Sequence, residues 1–500
     1  MYYAALKDAG ESGRDWTDMT VSELLIFLAI CLYCGLFKAG GKMEWIWDKD
    51  PRKPTHPITK HMTLFRFQQI KRFLHISLHG LHNGDYYAKV EPLLSHIQDT
   101  SKSIYHPSSN VSVDEMMIRF SGRSPHTFRM KGKPTPEGFK ILALCDYGYT
   151  WTFLPTSRIA ANKEVKKVDQ VNGTGCSVIY LVEQLPFKQQ GFNIYMDNYF
   201  TSIPLFQYLR MKGIGACGTT RTNSARFPKE LKIGKDHKFD WNTRSGVIVD
   251  DVLAMLWIDN GAVTMLTTIH ELVGDEWEAE RNRRRPRETN INSANVRATW
   301  GNNSRAPLRI PKIIDDYNHH MGGVDIADQR RGYYNTQLSA HRTWMPLFFW
   351  LLDTAVVNSY LVCKAAGLKM SHSEFQLKLV WDLIGLAYEK EKEKEGRRQT
   401  HKRTHQDNQL PSPPSSSKKP RVTKNSYDLA PSRLLPGNHL PKFQEKRQAC
   451  VWCRWQAKKG IIKINKQNPP QSSIACKTCN VILCFNSERS CFTEYHEKKE

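Results

Sequence analysis

Two aspartates, Asp325 and Asp328, stand three residues apart in the stretch HHMGGVDIADQRR. The Gly322 and Gly323 pair breaks any preceding element, and good helix formers follow, so a helix should begin between them. Residues three apart share a helix face, so both carboxylates would point the same way. Aspartate in a first turn also complements the positive end of the helix dipole. Taken alone, the pair is typical of a helix start, and only partners elsewhere in the chain would make it a site.

Two further aspartates follow apolar runs that predict buried strands. Asp197 ends the run IYM, and Asp114 follows Val111 and Val113 in NVSVDEMM. A carboxylate at the end of a buried strand is costly unless it is paired, hydrogen-bonded or metal-bound. Each of the two could instead cap a turn or bind backbone amides. Glu115 follows Asp114 directly and should point to the opposite face of the strand.

The periodicity of apolar residues places these aspartates on an α/β frame. Residues 111–223 alternate short runs of β-branched and aromatic residues with two helical stretches, in the order strand, strand, strand, helix, strand, helix, strand. Asp114 in the first strand, Asp197 after the fourth and Asp325 in a later helix match the layout of RNase H-like nucleotidyl transferases. Such sites use carboxylates to hold two Mg²⁺ or Mn²⁺ ions, which activate a nucleophilic oxygen and stabilise the leaving one.

Composition divides the rest of the chain. We expect a helical N-terminal domain, a catalytic core in two parts, a β-rich insertion between them, a disordered basic linker and a cysteine-rich domain. Their predicted bounds are 1–108 for the helical domain, 109–223 and 311–390 for the core, 224–310 for the insertion, 391–445 for the linker and 446–500 for the cysteine-rich domain.

Charge points to a polyanionic partner. Lys and Arg number 72 against 49 Asp and Glu, a net charge of +23, so nucleic acid leads as the partner and an anionic membrane surface comes second. The apolar run 24–37 is shorter than the ~20 residues that cross a bilayer. It predicts a buried helix, and we expect no membrane association. Nothing at the start of the chain is typical of a secretion signal.

The cysteine pattern near the end predicts zinc. The candidate ligands are two CxxC pairs, two further cysteines and a histidine: Cys450, Cys453, Cys476, Cys479, Cys484, Cys491 and His496. CxxC pairs put two thiolates on one tetrahedral ion. Seven ligands do not fill two such sites, so the eighth is His439, a backbone or water ligand, or a residue still to be found; otherwise only one zinc is fully held. Disulfides are the weaker alternative.

Three long motifs resemble the catalytic blocks of the piggyBac transposases. They begin at VDEMMIRFSGR, at MDNYFTSIPLFQYLRMKGIGACGTTRTN and at YNHHMGGVDIADQRRGYY. The resemblance runs from about residue 16 to 496. It implies that Asp114, Asp197 and Asp325 are the three catalytic aspartates and that Asp328 is the further aspartate after the third. It also implies cleavage and strand transfer at TTAA sites, an insertion between the second and third aspartates, and an N-terminal domain for dimerisation or DNA binding.

Several basic residues are candidates for DNA contact, because clustered cations suit phosphates. They are Arg123, Arg129, Lys131 and Lys133 after Asp114, and Arg281, Arg283, Arg284, Arg285 and Arg287 in the run RNRRRPR. The alternative for each group is a solvated loop. Trp344, in RTWMP, is either a DNA contact or a packing residue.

The leading hypothesis is therefore a nuclear, metal-dependent DNA transposase that acts on double-stranded DNA as a homodimer. One alternative is a domesticated descendant that binds DNA or chromatin and no longer transposes. Another is a zinc-module interaction protein whose core is only a scaffold. Because all four aspartate positions are acidic, the sequence favours the first.

Overall fold

The computed structural model describes residues 16–38, 42–77, 87–159, 162–187, 190–234, 239–289, 292–340, 342–406, 433, 439, 441–465, 469–476, 479, 481–485 and 489–497. The chain forms two compact units, Met1–Asp407 and Asn408–Glu500. The residues of the predicted linker from 407 to 432 lie outside the described residues.

The first unit contains eleven strands and ten α-helices within its described residues. The strands are β1 (Asn110–Arg119), β2 (Phe128–Arg129), β3 (Glu137–Asp146), β4 (Tyr149–Thr156), β5 (Asn193–Met196), β6 (Gly215–Thr219), β7 (Arg244–Val249), β8 (Val252–Ile258), β9 (Ala262–Thr267), β10 (Glu278–Arg284) and β11 (Arg305–Pro311). The helices are α1 (Val21–Leu36), α2 (Leu64–Phe73), α3 (Glu91–Ile104), α4 (Gly173–Val182), α5 (Ile203–Met211), α6 (Ser293–Trp300), α7 (Lys312–His320), α8 (Gly323–Tyr333), α9 (Met345–Ala365) and α10 (His372–Gln406).

A nine-stranded sheet forms the centre of this unit. Its order is β2-β3-β1-β5-β6-β9-β8-β7, with β4 paired to β3. On one side of β1, β3 pairs antiparallel with β1, and β4 pairs antiparallel with β3. On the other side, β5 pairs parallel with β1, and β6 pairs parallel with β5. This is the RNase H-like arrangement that the sequence predicts, with helices between its parallel strands.

The predicted insertion does not form a separate layer. Strands β7, β8 and β9 extend the central sheet, because β9 pairs antiparallel with β6 at Cys217–Thr267 and Gly218–Leu266. The other two strands of the predicted insertion, β10 and β11, pair as a separate two-stranded sheet. The sequence shows three alternating strands but cannot show that their edge joins the core.

Helices cover both faces of the sheet and bury its apolar residues in two clusters, one with α1, α8 and α9 and the other with α4 and α5. Helix α1 begins at a capping box in which Thr20 and Glu23 each accept a backbone N–H, and its central residues are fully buried. The run 24–37 is therefore a core helix, as predicted. Helix α9 is long and apolar enough to cross a membrane, but 67% of its most apolar window is buried inside the protein. Helix α10 continues to Gln406, past the predicted boundary at 390.

The second unit is built around its cysteines. Strands β12 (Pro441–Ala449) and β13 (Gln471–Cys476) pair antiparallel. Helix α11 (Val451–Lys458) lies between the two strands in sequence, and helix α12 (Cys491–Glu497) follows β13. The core of this unit combines five buried cysteine thiols with aromatic rings that include Trp452, Trp455 and Tyr495. An apolar core this small is typical of domains that need a metal to fold.

Candidate functional site

The parallel pairing of β1 and β5 places the first two aspartates side by side. Val113 lies opposite Met196 in the register, so Asp114 and Asp197 follow as the next neighbours along the two strands. Asp114 is 8% exposed, and its Oδ1 accepts the N–H of Glu115 at 2.7 Å. Asp197 is half-buried and accepts the N–H of Tyr199 at 2.9 Å. Both of the turn interactions that the sequence allowed are present, and neither satisfies a whole carboxylate.

A glycine brings the third aspartate to the same place. Helix α8 begins at Gly323, whose Cα lies so close to β1 that a Cβ there would come within 2.5 Å of Ser112 Oγ. The N–H of Val324 donates to the same hydroxyl at 3.2 Å. Because Ser112 stands two residues before Asp114 on β1, this bond fixes the first turn of α8 beside that aspartate. Asp325 therefore lies in the first turn of α8, beside the first half of β1, and is exposed to solvent.

Asp328 has a different environment from the other three aspartates. It is exposed and forms an ion pair with Arg331, one turn further along α8. The Arg331 guanidinium is buried, donates to Met116 Sδ at 3.1 Å and lies 5.2 Å from the centre of the Trp350 ring. Asp328 thus holds a buried arginine in place.

The charged groups of the cluster shift one another's pKa values. Burial, followed by the charge of Glu115, raises the pKa of Asp114 to about 8. Burial also raises the pKa of Asp197, and the charge of Glu115 adds to this effect. Carboxylates crowded in a cleft favour protons or cations over the ionised, unpaired state. Strongly shifted acids of this kind are typical of functional sites.

Glu115 and Lys133 complete the cluster. Lys133 Nζ lies 3.3 Å from Glu115 Oε1. Burial lowers the pKa of Lys133, but the negative charges of Asp114, Glu115 and Asp325 outweigh it, so the net pKa is raised. Glu115 is 8% exposed, and its Oε2 has no hydrogen-bond partner among the described residues. The period of the strand predicts that Glu115 points away from Asp114, and only the structure brings its carboxylate within reach of the same lysine.

The arginine run on β10 divides into paired and unpaired residues. Three of its arginines form ion pairs: Arg281 with Asp315 at 2.6 Å, Arg283 with Asp259 at 2.8 Å, and Arg285 with Glu288. These three guanidinium groups therefore stabilise the folded chain. For Arg281 and Arg283 the sequence cannot reveal this, because their acidic partners lie 34 and 24 residues away, whereas the partner of Arg285 is only three residues away.

Arg284 and Arg287 are exposed and belong to none of the ion pairs among the described residues. Arg284 lies opposite Arg305 across the β10–β11 pair. Two like charges opposed on a strand pair destabilise it unless an anion lies between them.

The remaining basic candidates lie close to the carboxylates in sequence and are open to solvent. All three are exposed: Arg129 ends β2, and Arg123 and Lys131 lie on either side of that strand. Trp344 is different: it is 4% exposed, precedes α9 and belongs to the helical core. Of its two alternatives, packing fits this position.

The second unit contains two clusters of four metal-type ligands. One is formed by Cys450, Cys453, Cys484 and Cys491, and the other by His439, Cys476, Cys479 and His496; within each, all ligand atoms lie within 4.8 Å of one another. None of the twelve cysteines forms a disulfide. His439 supplies the eighth ligand, with its Nδ1 3.3 Å from Cys479 Sγ and 3.5 Å from Cys476 Sγ. Ligands around a tetrahedral zinc are separated by about 3.5–3.8 Å, so both clusters could hold zinc.

The pKa values of several thiols in the two clusters are shifted far from their usual range. Burial raises the pKa of Cys479 to about 11 and the pKa of Cys484 to about 12. Hydrogen bonds from Cys453 and Cys491 lower the pKa of Cys450 to about 2. A bound divalent ion would favour all four thiolates together.

Comparison with known proteins identifies the family of this chain. A family model described as Transposase IS4 matches residues 3–360. PiggyBac transposable element-derived protein 3 of Homo sapiens is 24% identical over 493 residues, which cover 96% of this chain and 70% of that protein. This chain belongs to the piggyBac family of transposases. PiggyBac transposable element-derived protein 2 of Homo sapiens is 25% identical over 352 residues, which cover 68% of this chain and 55% of that protein.

The fold of the family is also found in a solved structure. The cryo-EM structure of a piggyBac transposase synaptic complex with hairpin DNA superimposes with a TM-score of 0.63 at 20% identity, covering 96% of this chain and 90% of the other chain. This chain spans about half the length of PiggyBac transposable element-derived protein 2.

Proposed function

We propose that this transposase cleaves and joins DNA strands at TTAA sites with a divalent-metal site formed by Asp114, Asp197 and Asp325. One observation carries the proposal: three separate elements bring these carboxylates together around the single ammonium of Lys133. A helix start, a strand end and a position within a strand explain each aspartate alone, but not why all three perturb the same cation.

The donors fit two Mg²⁺ or Mn²⁺ ions. All are carboxylate oxygens, which these hard cations prefer. The buried Oε2 of Glu115 lacks a hydrogen-bond partner, and a buried unpaired acceptor is costly unless a cation or donor reaches it. Asp114, Asp197 and Asp325 would hold the ions, with Glu115 beside them. When bound, the ions would activate a nucleophilic oxygen and neutralise the leaving one.

The chain's own residues orient this chemistry. Lys133 keeps its charge next to the carboxylates and is placed to hold a phosphate oxygen of the DNA strand. Asp328 keeps Arg331 in position and acts on the metal ligands only through α8. The bond between Val324 and Ser112 keeps Asp325 in register with β1.

The exposed arginines and lysines would form the surface that binds the DNA backbone. Arg123, Arg129 and Lys131 would contact phosphates beside the site. Arg284 and Arg287 would contact phosphates at the end of β10, where Arg305 on β11 adds a further cation. Each such contact releases counterions and makes binding salt-dependent. The three ion-paired arginines of the same run would contribute stability instead.

Two zinc ions would stabilise the C-terminal unit, one on each four-ligand cluster. The unit would then present a folded surface for DNA. We further propose that the protein acts in the nucleus as a homodimer on double-stranded DNA, in keeping with its charge of +23.

The decisive experiment is an excision assay on a TTAA-flanked donor with the cognate transposon ends. Asp197→Asn should reduce the rate of excision by at least about 100-fold, because it removes one metal ligand. Asp169→Asn, at an exposed aspartate away from the cluster, is the matched control and should excise like the wild type. Equal excision by wild type and Asp197→Asn would refute the proposal.

A domesticated descendant that binds DNA without transposing is the second candidate. The relatives' own descriptions favour it, because both are called transposable element-derived proteins. In that case the wild type would bind DNA containing its ends yet leave the donor uncut.

A further inference from the structure

Two hydroxyl groups that are each followed by proline lie on either side of the short strand β2. The chain contains three serine or threonine residues with proline directly after them: Ser124, Thr135 and Ser412. The first two lie in the loops before and after β2, and the third lies outside the described residues. Proline has a fixed backbone angle and no N–H, and proline-directed protein kinases select hydroxyls by this neighbour. The function proposed above uses none of the three hydroxyls.

Both loops beside β2 are open to a kinase. Pro125 and Pro136 are exposed, and Ser124 and Thr135 are partly exposed. Within the described chain, no hydrogen bond between backbone groups joins residues 121–127 to another residue. A kinase binds its substrate as an extended segment, and surface loops without such bonds can adopt that form at low cost.

The two hydroxyls lie among cations that are proposed above to hold the DNA backbone. These cations form what we call the β2 surface: Arg123, Arg129, Lys131 and Lys133. Arg123 directly precedes Ser124, and Lys133 lies two residues before Thr135. Thr135 and Lys133 also line the same cleft. A phosphate on either hydroxyl would therefore lie within the β2 surface.

Phosphorylation would cancel the positive charge of the β2 surface. Each phosphate carries about −1.5 to −2 at pH 7, so two phosphates add about −3 to −4 beside four cations. A phosphate held by these side chains also occupies donors that DNA phosphates would otherwise use. Glu115 opposes one of the four cations as well, because its Oε1 lies 3.3 Å from Lys133 Nζ. The modified surface would have no net charge left to attract DNA.

We propose that a proline-directed protein kinase phosphorylates Ser124 and Thr135 and that the two phosphates switch off DNA binding by the β2 surface. The inference rests on the proposed function, because it needs DNA phosphates that compete for the same cations. In each reaction the γ-phosphoryl group of ATP passes to the hydroxyl oxygen, the bond to ADP breaks, and the hydroxyl proton goes to the base of the kinase.

The test uses two variants of the full chain that differ in the hydroxyls that remain. Ser412→Ala keeps both hydroxyls beside β2, whereas Ser124→Ala combined with Thr135→Ala keeps only the one in the predicted linker. Both are treated with a cyclin-dependent kinase and ATP, and mass spectrometry measures the phosphate at each residue. No substituted residue is a proposed metal ligand or DNA contact, so both unmodified variants should excise a TTAA-flanked donor like the wild type.

DNA binding is measured by fluorescence anisotropy in Ca²⁺, on a TTAA-containing duplex over a range of salt concentrations. Phosphorylated Ser412→Ala should bind roughly 100-fold more weakly at about 0.15 M salt, because about three phosphate contacts are lost. For the same reason the slope of log affinity against log salt should become shallower by about 3. In the other variant the phosphate on Ser412 should change neither value. Phosphatase treatment should restore binding by Ser412→Ala.

The remaining outcomes separate this inference from the proposed function. If a kinase that is active on a control peptide leaves Ser124 and Thr135 unmodified, or if their phosphorylation leaves the affinity unchanged, the switch is refuted while the transposase function stands. A fall in the melting temperature on phosphorylation would mean that the phosphates disrupt the fold, and would also overturn the inference. If neither unmodified variant binds or excises DNA, the proposed function fails and the inference fails with it.

Discussion

Removing the charge of Asp114 should stabilise the metal-free protein while abolishing its activity. The carboxyl is buried, and its pKa is raised from 3.8 to about 8. The folded protein therefore holds this proton more tightly than the unfolded chain does. The free energy of unfolding falls as the pH rises from about 4 to about 8, and the cost is fully present above that range. Asp114→Asn has nearly the same shape and carries no charge at any pH.

The size of the effect follows from the two pKa values. At about 1.36 kcal/mol per pKa unit, the difference sets an upper limit of roughly 6 kcal/mol. Relaxation of the surrounding groups screens a buried charge and lowers this limit, so we expect about 2 kcal/mol of added stability for Asp114→Asn at pH 8.5 and almost none at pH 4. A mutation that stabilises the fold and destroys function is typical of a site whose residues serve a ligand.

Asp146→Asn provides the matched control in the same sheet. Asp146 is 2% exposed and accepts three hydrogen bonds, from Tyr105 Oη at 2.9 Å, Ser108 N at 2.6 Å and Ser108 Oγ at 2.9 Å. Its replacement should cost about 2 kcal/mol, because an amide leaves part of this network unpaired. Both aspartates are buried, but only one is satisfied by the protein.

The assay is urea unfolding at pH 4 and pH 8.5 after dialysis into Mg²⁺-free buffer. Added Mn²⁺ should then raise the midpoint of the wild type more than that of Asp114→Asn, since the ion binds only the folded state. If Asp114→Asn destabilises the protein at pH 8.5 as much as Asp146→Asn does, Asp114 is a structural residue and the reasoning is wrong.

Three further predictions concern the metals and the DNA. Purified protein should contain two zinc ions per chain, and His439→Ala should contain one; a single zinc in both would contradict the two clusters. Glu115→Gln should weaken Mn²⁺ binding by roughly tenfold in calorimetry, whereas unchanged affinity would remove Glu115 from the metal site. The double substitution Arg284→Gln with Arg305→Gln should reduce the slope of log affinity against log salt by about 2, at unchanged stability. Arg281→Gln, which breaks an ion pair, should lower stability and leave the slope unchanged.

The sequence by itself determined the elements and the chemistry that they could support. The order of strands and helices in residues 111–223, the core helix in residues 24–37 and the CxxC pairs all follow from local periodicity and spacing, and the structure contains each of them. Local pattern is enough here because a strand, a helix or a zinc knuckle is specified by neighbours in the chain.

Only the tertiary structure decided which side chains share a site. Glu115 reaches Lys133 although strand alternation predicts that it faces away from Asp114, and His439 meets cysteines and a histidine 37 to 57 residues further on in the chain. Strands β7 to β9 join the central sheet through a single pairing with β6.

The arginine run shows the same division most clearly. Its composition predicts an anion-binding surface, but Arg281 and Arg283 are neutralised by acids 34 and 24 residues away. Coulomb interactions depend on distance in space, which the fold sets and the spacing of charges along the chain does not. The two aspartates behind the Gly322 and Gly323 pair are a last case: the sequence places them on one helix face, and the closeness of Gly323 to Ser112 brings that helix to Asp114.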